Sequence, residues 1–300
     1  MADIAENPLI NLSEALAECV RLARPLVAGI AVQGHRMRSG TLWRKDVVVA
    51  SEQRFPDAGA AQVTLADGSA FTASVAGRDP GTNVVALRLD GTPDPAPLPA
   101  GEPQPGGLAL ALGANDGGIS VRLGVIHSVG PTWHSRIGGR IDRRITLDIG
   151  VVPSEEGGPV LDPGGALFGI STLGPRGRVL VIPASTVETV LDPLLSKGRV
   201  ERGWLGLALQ PVLVPEALQA ETGQSQGLMV MSVSKDGPAA RANLHAGDIL
   251  VKIAGETVTS PTAVAQYLGP DSVGKQVELH LIRADKPFSI AVTVGIRPPR

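Results

Sequence analysis

Apolar positions change rhythm three times along the chain. Leu12, Leu16, Cys19 and Leu22 fall at helical spacing, which predicts a helix over residues 12–25 capped by Asn11 or Ser13 and stopped by Pro25. From Val27 the pattern shortens to runs bounded by Gly, Pro, Asp and Ser: Val27–Val32, Val47–Ala50, Gln62–Leu65, Val84–Leu89, Leu108–Leu112, Ile145–Leu147, Ala166–Ser171 and Val179–Ile182. Such runs at regular spacing predict an all-β barrel or sandwich. Thr92–Gly107 holds six prolines and splits the region into two halves, which fits two packed barrels. Ser185–Lys197 returns to helical spacing, with Ser185 and Glu188 placed as a capping box. Lys197 and Gly198 close it. After a linker at Arg199–Gly203, residues 204–296 alternate strands with two short helices near Ala239–Leu244 and Pro261–Leu268.

Composition narrows the class. At 300 residues, with 43% hydrophobic and 19% charged residues, the chain is globular and long enough for about two domains. A net charge of −2 with dispersed Lys and Arg argues against nucleic acid as a partner. The abundant glycine (37) and proline (25) suit short strands joined by tight turns. The single cysteine, Cys19, excludes an internal disulfide and a thiolate cluster. No His-x-x-x-His pair is present, and adjacent Glu155 and Glu156 point to opposite sides of an extended chain, so neither a metal nor a cofactor is expected. The acidic N-terminus has no basic region or long apolar core, and Leu26–Val32 is too short to span a membrane. The expected location is therefore cytoplasmic, without a membrane anchor.

Four segments, taken in order, resemble the HtrA (Deg) serine proteases. Ser39–Trp43 with Val47–Ser51 is similar to the strand leading to that family's catalytic histidine, and Asp79–Leu87 to the strand of its aspartate. Leu123–Ser128 resembles a further family strand, and Thr146–Asp148 with Pro153–Pro159 resembles the nucleophile loop, followed by Leu167–Thr172 and Val181–Pro183. The resemblance implies a mostly β fold, a chymotrypsin-like double β-barrel followed by a PDZ domain. Its boundaries would be 1–198 for the protease-like domain with its N-terminal helix, 199–203 for the linker and 204–300 for the PDZ domain.

On that resemblance the histidine, aspartate and serine positions fall at Gln53, Asn83 and Glu156. A hydroxyl nucleophile, an imidazole base and an orienting carboxylate are what serine proteolysis uses. Gln53 takes no proton near neutral pH, Asn83 is neutral, and Glu156 is a poor acyl acceptor. The family's oxyanion-hole glycine falls at Ser154. With no catalytic triad intact, the expectation is a chain that is not an enzyme. It would be a pseudoprotease scaffold or regulator; the alternatives are an active serine-type endopeptidase with a non-standard centre or a regulatory subunit of an active homologue.

Arg202–Leu207 resembles the carboxylate-binding loop of an HtrA-type PDZ domain. The resemblance assigns peptide binding to Trp204, Leu205, Gly206 and Leu207, because successive backbone N–H groups around a glycine make a nest for a terminal carboxylate. The partners implied are C-terminal or extended peptide segments of other proteins, and homo- or hetero-oligomers with HtrA homologues.

Overall fold

The structure is a computed structural model and describes residues 7–93, 95, 98–115, 118–135 and 137–298. The chain divides into two compact units. One runs to Trp133 and includes Ile141–Val200; the other comprises His134–Arg140 and Glu201–Arg300.

Helix α1 (Pro8–Ala23) opens the first unit. Its cap is Asn7, whose side chain accepts from Leu9 N, rather than Asn11 or Ser13. Pro8 sits at the first helical position, where a missing N–H costs nothing, so the helix starts one turn earlier than the apolar spacing suggests. Cys19 is buried, donates to the Asp162 carbonyl, and burial pushes its thiol up, which makes it a packing residue.

Six strands then close the first barrel: β1 (Val27–Ala31), β2 (Arg38–Arg44), β3 (Val47–Ser51), β4 (Ala60–Leu65), β5 (Ala70–Asp79) and β6 (Val84–Leu89). Closure comes from β1, which pairs Ala28 with Gly40 on β2 and with Leu65 on β4. The interior holds Ile30, Leu42, Val48, Val63, Val85 and Leu87. Val47–Ala50 of β3 and Val84–Leu87 of β6 read as continuous apolar runs because both faces are covered. Val47, Val49, Val84 and Ala86 pack outward against Ile170, Ile182, Val187 and Leu191. β5 has no such run; its buried positions are Ala73, Gly77 and Asp79, so apolar periodicity misses it.

The second barrel has β7 (Leu108–Asn115), β8 (Gly118–Gly130), β11 (Arg144–Gly150), β12 (Pro159–Leu161), β13 (Leu167–Leu173) and β14 (Arg178–Pro183). A two-stranded ribbon, β9 (Trp133–His134) and β10 (Arg140–Ile141), lies between β8 and β11 in the chain. β11 closes this barrel, with Ile145 opposite Val129 on β8 and Val181 on β14. The two barrels give the chymotrypsin-like arrangement.

Helix α2 (Ala184–Lys197) follows. Ser185 does not cap it; the N-cap is Pro183, with no side-chain hydrogen bond. Glu188 instead takes the Trp43 indole N–H and the Arg44 guanidinium, so a charged partner across the fold outcompetes the local capping box. Gly198 ends the helix at φ 73°, its N–H bonded to the Leu194 carbonyl. Gly77 lies under this end: a Cβ there would come within 2.5 Å of the Leu194 oxygen.

The second unit contains β15 (Gly203–Trp204), β16 (Leu207–Leu213), α3 (Glu216–Thr222), β17 (Gln226–Val233), α4 (Pro238–Arg241), β18 (Ile249–Ile253), β19 (Glu256–Thr257), α5 (Pro261–Gln266), β20 (Gln276–Arg283), β21 (Lys286–Thr293) and β22 (Gly295–Ile296). The main sheet runs β16-β17-β18-β20-β21. Leu228, Leu250, Val264, Leu279 and Leu281 fill its core. Asp248 accepts from His245 N and both ends of the Arg283 guanidinium, an anchor for the turn before β18.

Candidate functional site

Three loops of the first unit bring Gln53, Asn83 and Glu156 together. Gln53 follows β3. Asn83 ends the turn after β5, where the buried Asp79 carboxylate accepts from Gly81 N, Thr82 N and the Thr82 hydroxyl. Asn83 itself has φ 63°, a left-handed conformation that Asn tolerates better than most residues. Glu156 sits in the turn before β12. Two glycines shape that turn: a Cβ on Gly157 (φ 97°) would lie 2.5 Å from the Ser39 carbonyl oxygen, and one on Gly158 only 1.9 Å from that of Leu112. Those positions exclude every side chain.

The three residues form one hydrogen-bonded knot. Gln53 Nε2 donates to Glu156 Oε2 (2.7 Å), Thr172 Oγ1 (2.7 Å) and the Leu173 carbonyl (3.2 Å). Asn83 Oδ1 accepts from Gln53 N (2.6 Å), and Asn83 Nδ2 donates to Thr172 Oγ1 (2.7 Å) and Ser51 Oγ (3.2 Å). Ser51 Oγ donates to Glu156 Oε2 at 3.3 Å. Glu156 is 3% exposed, while Gln53 is exposed and Asn83 half-buried. Its second oxygen, Oε1, has no hydrogen-bond partner and faces only Arg54 Nε, at 3.5 Å. None of the five histidines shares in these bonds.

Glu155, in the same turn, takes different partners. It meets Arg122 through two hydrogen bonds, of 2.5 and 3.2 Å. Burial works against its charge, yet the Arg122 guanidinium and the Val152 N–H outweigh burial and hold the carboxyl below the ordinary range. A depressed carboxyl stabilises the fold above its unfolded value of about 4.3, and that contribution is lost as pH falls through the folded value. Arg122→Met is therefore expected to cost about 1–3 kcal/mol at pH 7, the half-exposed Arg122 being screened by solvent. Urea midpoints should show that cost shrinking below pH 4.

Backbone donors at the same turn are open. Glu155 N bonds to the Val152 carbonyl and Gly157 N to that of Ser171. The N–H groups of Ser154 and Glu156, two residues apart, donate to no acceptor among the described residues. The half-buried Ser154 has its carbonyl fixed by Ser39 Oγ at 2.7 Å. Sequence reasoning overlooked Ser51, Thr172 and Arg54. Ser51 and Thr172 close strand segments that speak for the fold alone, Arg54 belongs to no such segment, and all three join the knot through the packing of both barrels. Among the described residues no group of His, Cys, Asp and Glu is arranged to hold a metal ion.

In the second unit, Trp204 and Leu207 flank the loop containing Leu205 and Gly206. Trp204 pairs with Gly295, and Gly206 has φ 79°. The Leu205 and Gly206 carbonyls are taken by Ala239 N and Ser234 N, while their own N–H groups reach no acceptor among the described residues. Leu205 is a core residue, only 2% exposed. β16 pairs only with β17 and is a free sheet edge. Leu207, Leu209, Ala263 and Tyr267 line the apolar side there, half-buried.

Comparison with known proteins identifies both units. A trypsin-like peptidase domain model matches residues 38–170 and a PDZ domain model residues 205–294. The chain is 32% identical over 262 residues to a probable periplasmic serine endoprotease, DegP-like, of Brucella suis biovar 1, covering 84% of this chain and 50% of that protein. A protein of the same name from Halomonas elongata is 32% identical over 247 residues, 79% of this chain and 51% of its own. The chain thus spans about half the length of the curated relatives it matches. The solved structure of the HtrA-type protease AlgW with tripeptide superposes with a TM-score of 0.75 at 26% identity, covering 95% of this chain and 98% of that one. The serine endoprotease from Yersinia pestis matches in fold, with a TM-score of 0.75 at 24% identity over 94% of this chain and 98% of that one.

Two expectations are overturned. The expectation of a chain that is not an enzyme rested on three side chains alone. Relatives matching 84% of the chain are named serine endoproteases, and the site keeps a carboxylate, amide donors and open backbone N–H groups. The expectation of a cytoplasmic protein rested on N-terminal composition, which by itself does not fix a compartment; those relatives are named periplasmic. In sequence and in architecture, the chain is a trypsin-like peptidase domain followed by a PDZ domain, the arrangement of the HtrA-type proteases it resembles.

Proposed function

We propose that this protein is an extracytoplasmic endopeptidase with a non-standard centre, served by a PDZ domain that captures peptide segments. On this reading Gln53, Asn83 and Glu156 stand where related enzymes carry histidine, aspartate and serine, and the domain boundary falls at 199–203. The observation that carries the reading is the pair of open N–H groups at Ser154 and Glu156. Uncommitted backbone donors two residues apart at this turn are the kind of groups an oxyanion intermediate needs, and they remain useful whatever the nucleophile. Glu156 is the acid–base group of the centre. Its Oε1 has no hydrogen-bond partner and lies behind the half-exposed Arg54. Rotation of Arg54 would open it to an attacking water, with Gln53 Nε2 holding the other oxygen in place.

Casein hydrolysis tests this directly. Glu156→Gln, which keeps shape and removes the base, is expected to lower turnover by about 100-fold, in the range general-base catalysis supplies. Arg54→Ala is expected to raise it. Absence of turnover by the natural protein would sink the proposal. Because the relatives are named serine endoproteases, Ser154→Ala is the decisive companion variant. Its loss of activity, with labelling by a serine-directed fluorophosphonate, would move the nucleophile from water to a displaced serine.

In the PDZ domain, Trp204, Leu205, Gly206 and Leu207 form the peptide site. The Leu205 and Gly206 N–H groups take a terminal carboxylate, and β16 takes the extended chain as an added strand. Amidating the C-terminus of a bound peptide is expected to weaken it about tenfold or more by fluorescence anisotropy, the size of a lost charge-assisted hydrogen bond. Equal affinity for acid and amide would remove the carboxylate site. Assembly with copies of itself or with homologous chains belongs to the same proposal and is read by sedimentation.

A further inference from the structure

Outside the knot, the first unit has a cleft of about 260 Å³ between β8, β11 and the turn joining β13 to β14. Its lining includes His127, Ser128, Arg144, Thr146, Arg176 and Arg178, and no Asp or Glu. Several other arginines are matched by carboxylates: Arg44 with Glu188 and Asp192, Arg88 with Asp46, Arg122 with Glu155, Arg283 with Asp248. Arg144, Arg176 and Arg178 have no hydrogen-bond or ion-pair partner among the described residues, and all three are exposed. The nearest carboxylate on the same strand, Asp148, is committed to Val125 N at 2.7 Å. In a chain of net charge −2, this is a concentrated cationic patch. On its walls Ser128 Oγ and Thr146 Oγ1 lie 2.6 Å apart, hydroxyls able to donate to an oxyanion.

The cleft is tied to the candidate centre through the chain. Leu173 gives its carbonyl to Gln53 and its N–H to Glu156. The next residues, Gly174–Arg178, are the cleft wall. Arg176 is held there at φ 60°, a conformation a long side chain adopts only when its surroundings impose it.

We propose that this cleft receives an acidic side chain of a polypeptide held at the candidate centre, which makes the protein selective for Asp- or Glu-containing segments. The inference rests on the reading that the first unit acts on polypeptide, and it adds the substrate class. Guanidinium forks match carboxylates in geometry and charge, and three of them in one cleft free of acidic residues repel a basic side chain.

The test uses the full chain and a fluorescent decapeptide blocked at both ends, so that the PDZ carboxylate site takes no part. Three central Glu residues are compared with three Gln and three Lys. The Glu peptide is expected to bind at least about tenfold more tightly than the Gln peptide, and the Lys peptide not at all. The preference should fall as salt rises. Arg144→Gln, Arg176→Gln and Arg178→Gln together should abolish the preference. Arg178→Gln alone should reduce it, which keeps the test available if the triple variant folds poorly. Equal binding of Glu and Gln peptides, or an undiminished preference in the folded triple variant, would overturn the proposal. So would binding of inorganic phosphate with no binding of the Glu peptide. Because binding and not turnover is read, a failure of casein hydrolysis leaves this result standing on its own.

Discussion

Glu156→Ser, Gln53→His and Asn83→Asp introduced together should raise casein hydrolysis by about 10³-fold or more over the natural protein. An intact triad is worth roughly 10⁶ in kcat over none, and its members act as a unit, so Gln53→His and Asn83→Asp alone should each gain little, while Glu156→Ser alone, which removes the acid–base group, should lose turnover. The frame for such a triad is present. Gln53 Nε2 already reaches Glu156 Oε2, and Asn83 Oδ1 already receives Gln53 N. Asp is among the few residues that accept the left-handed backbone of position 83. The Ser154 and Glu156 N–H groups have no acceptor among the described residues, as the proposed oxyanion role requires. Smaller side chains at 156 fit without a clash, since Gly157 and Gly158 fix the turn. A folded triple variant with unchanged turnover would mean that the donors are not aligned, and the geometric part of the functional reading would fall.

Gly158→Ala should unfold or severely destabilise the first unit. An alanine Cβ there would lie 1.9 Å from the Leu112 carbonyl oxygen and 2.9 Å from its carbon. Both are backbone atoms of a barrel strand and cannot rotate away. The loss should reach about 4 kcal/mol or more, the class of backbone strain among the largest single-residue effects. That corresponds to a Tm lower by roughly 10 °C for a unit of this size. Gly165→Ala is the control: its Cβ would meet nothing within 4 Å, although φ 86° carries some strain. Calorimetry giving the two variants equal Tm values would refute the argument.

The sequence made the barrels legible where strands are covered on both faces. Val47–Ala50 and Val84–Leu87 are unbroken apolar runs because one face fills the barrel and the other meets α2 and β13. β5 stayed hidden because its buried face uses Ala73, Gly77 and Asp79, chosen for closeness and capping rather than apolarity. Helix starts were misplaced for local reasons. Pro8 extended α1 backwards, and Glu188 left its capping role for Trp43 and Arg44. At the candidate site, Gln53, Asn83 and Glu156 could be found because they sit in recognisable loops. Ser51, Thr172 and Arg54 could not, since their bonds to Glu156, Gln53 and each other join segments that only the packing of both barrels brings together. The cleft at Arg144, Arg176 and Arg178 was equally invisible, for its charge is assembled from two strands and a turn.

Gly206 and Gly237 both lie under the ring of Trp204; a Cβ on either would come within 3.4 Å of it. This indole therefore forms part of the wall of the loop that presents the Leu205 and Gly206 N–H groups. Trp43 and Trp133, the other two tryptophans, belong to the first unit. The protein thus carries its own optical probe: with Trp43 and Trp133 changed to Phe, the emission maximum and quenching of the remaining indole would report occupancy of the peptide loop without any attached dye.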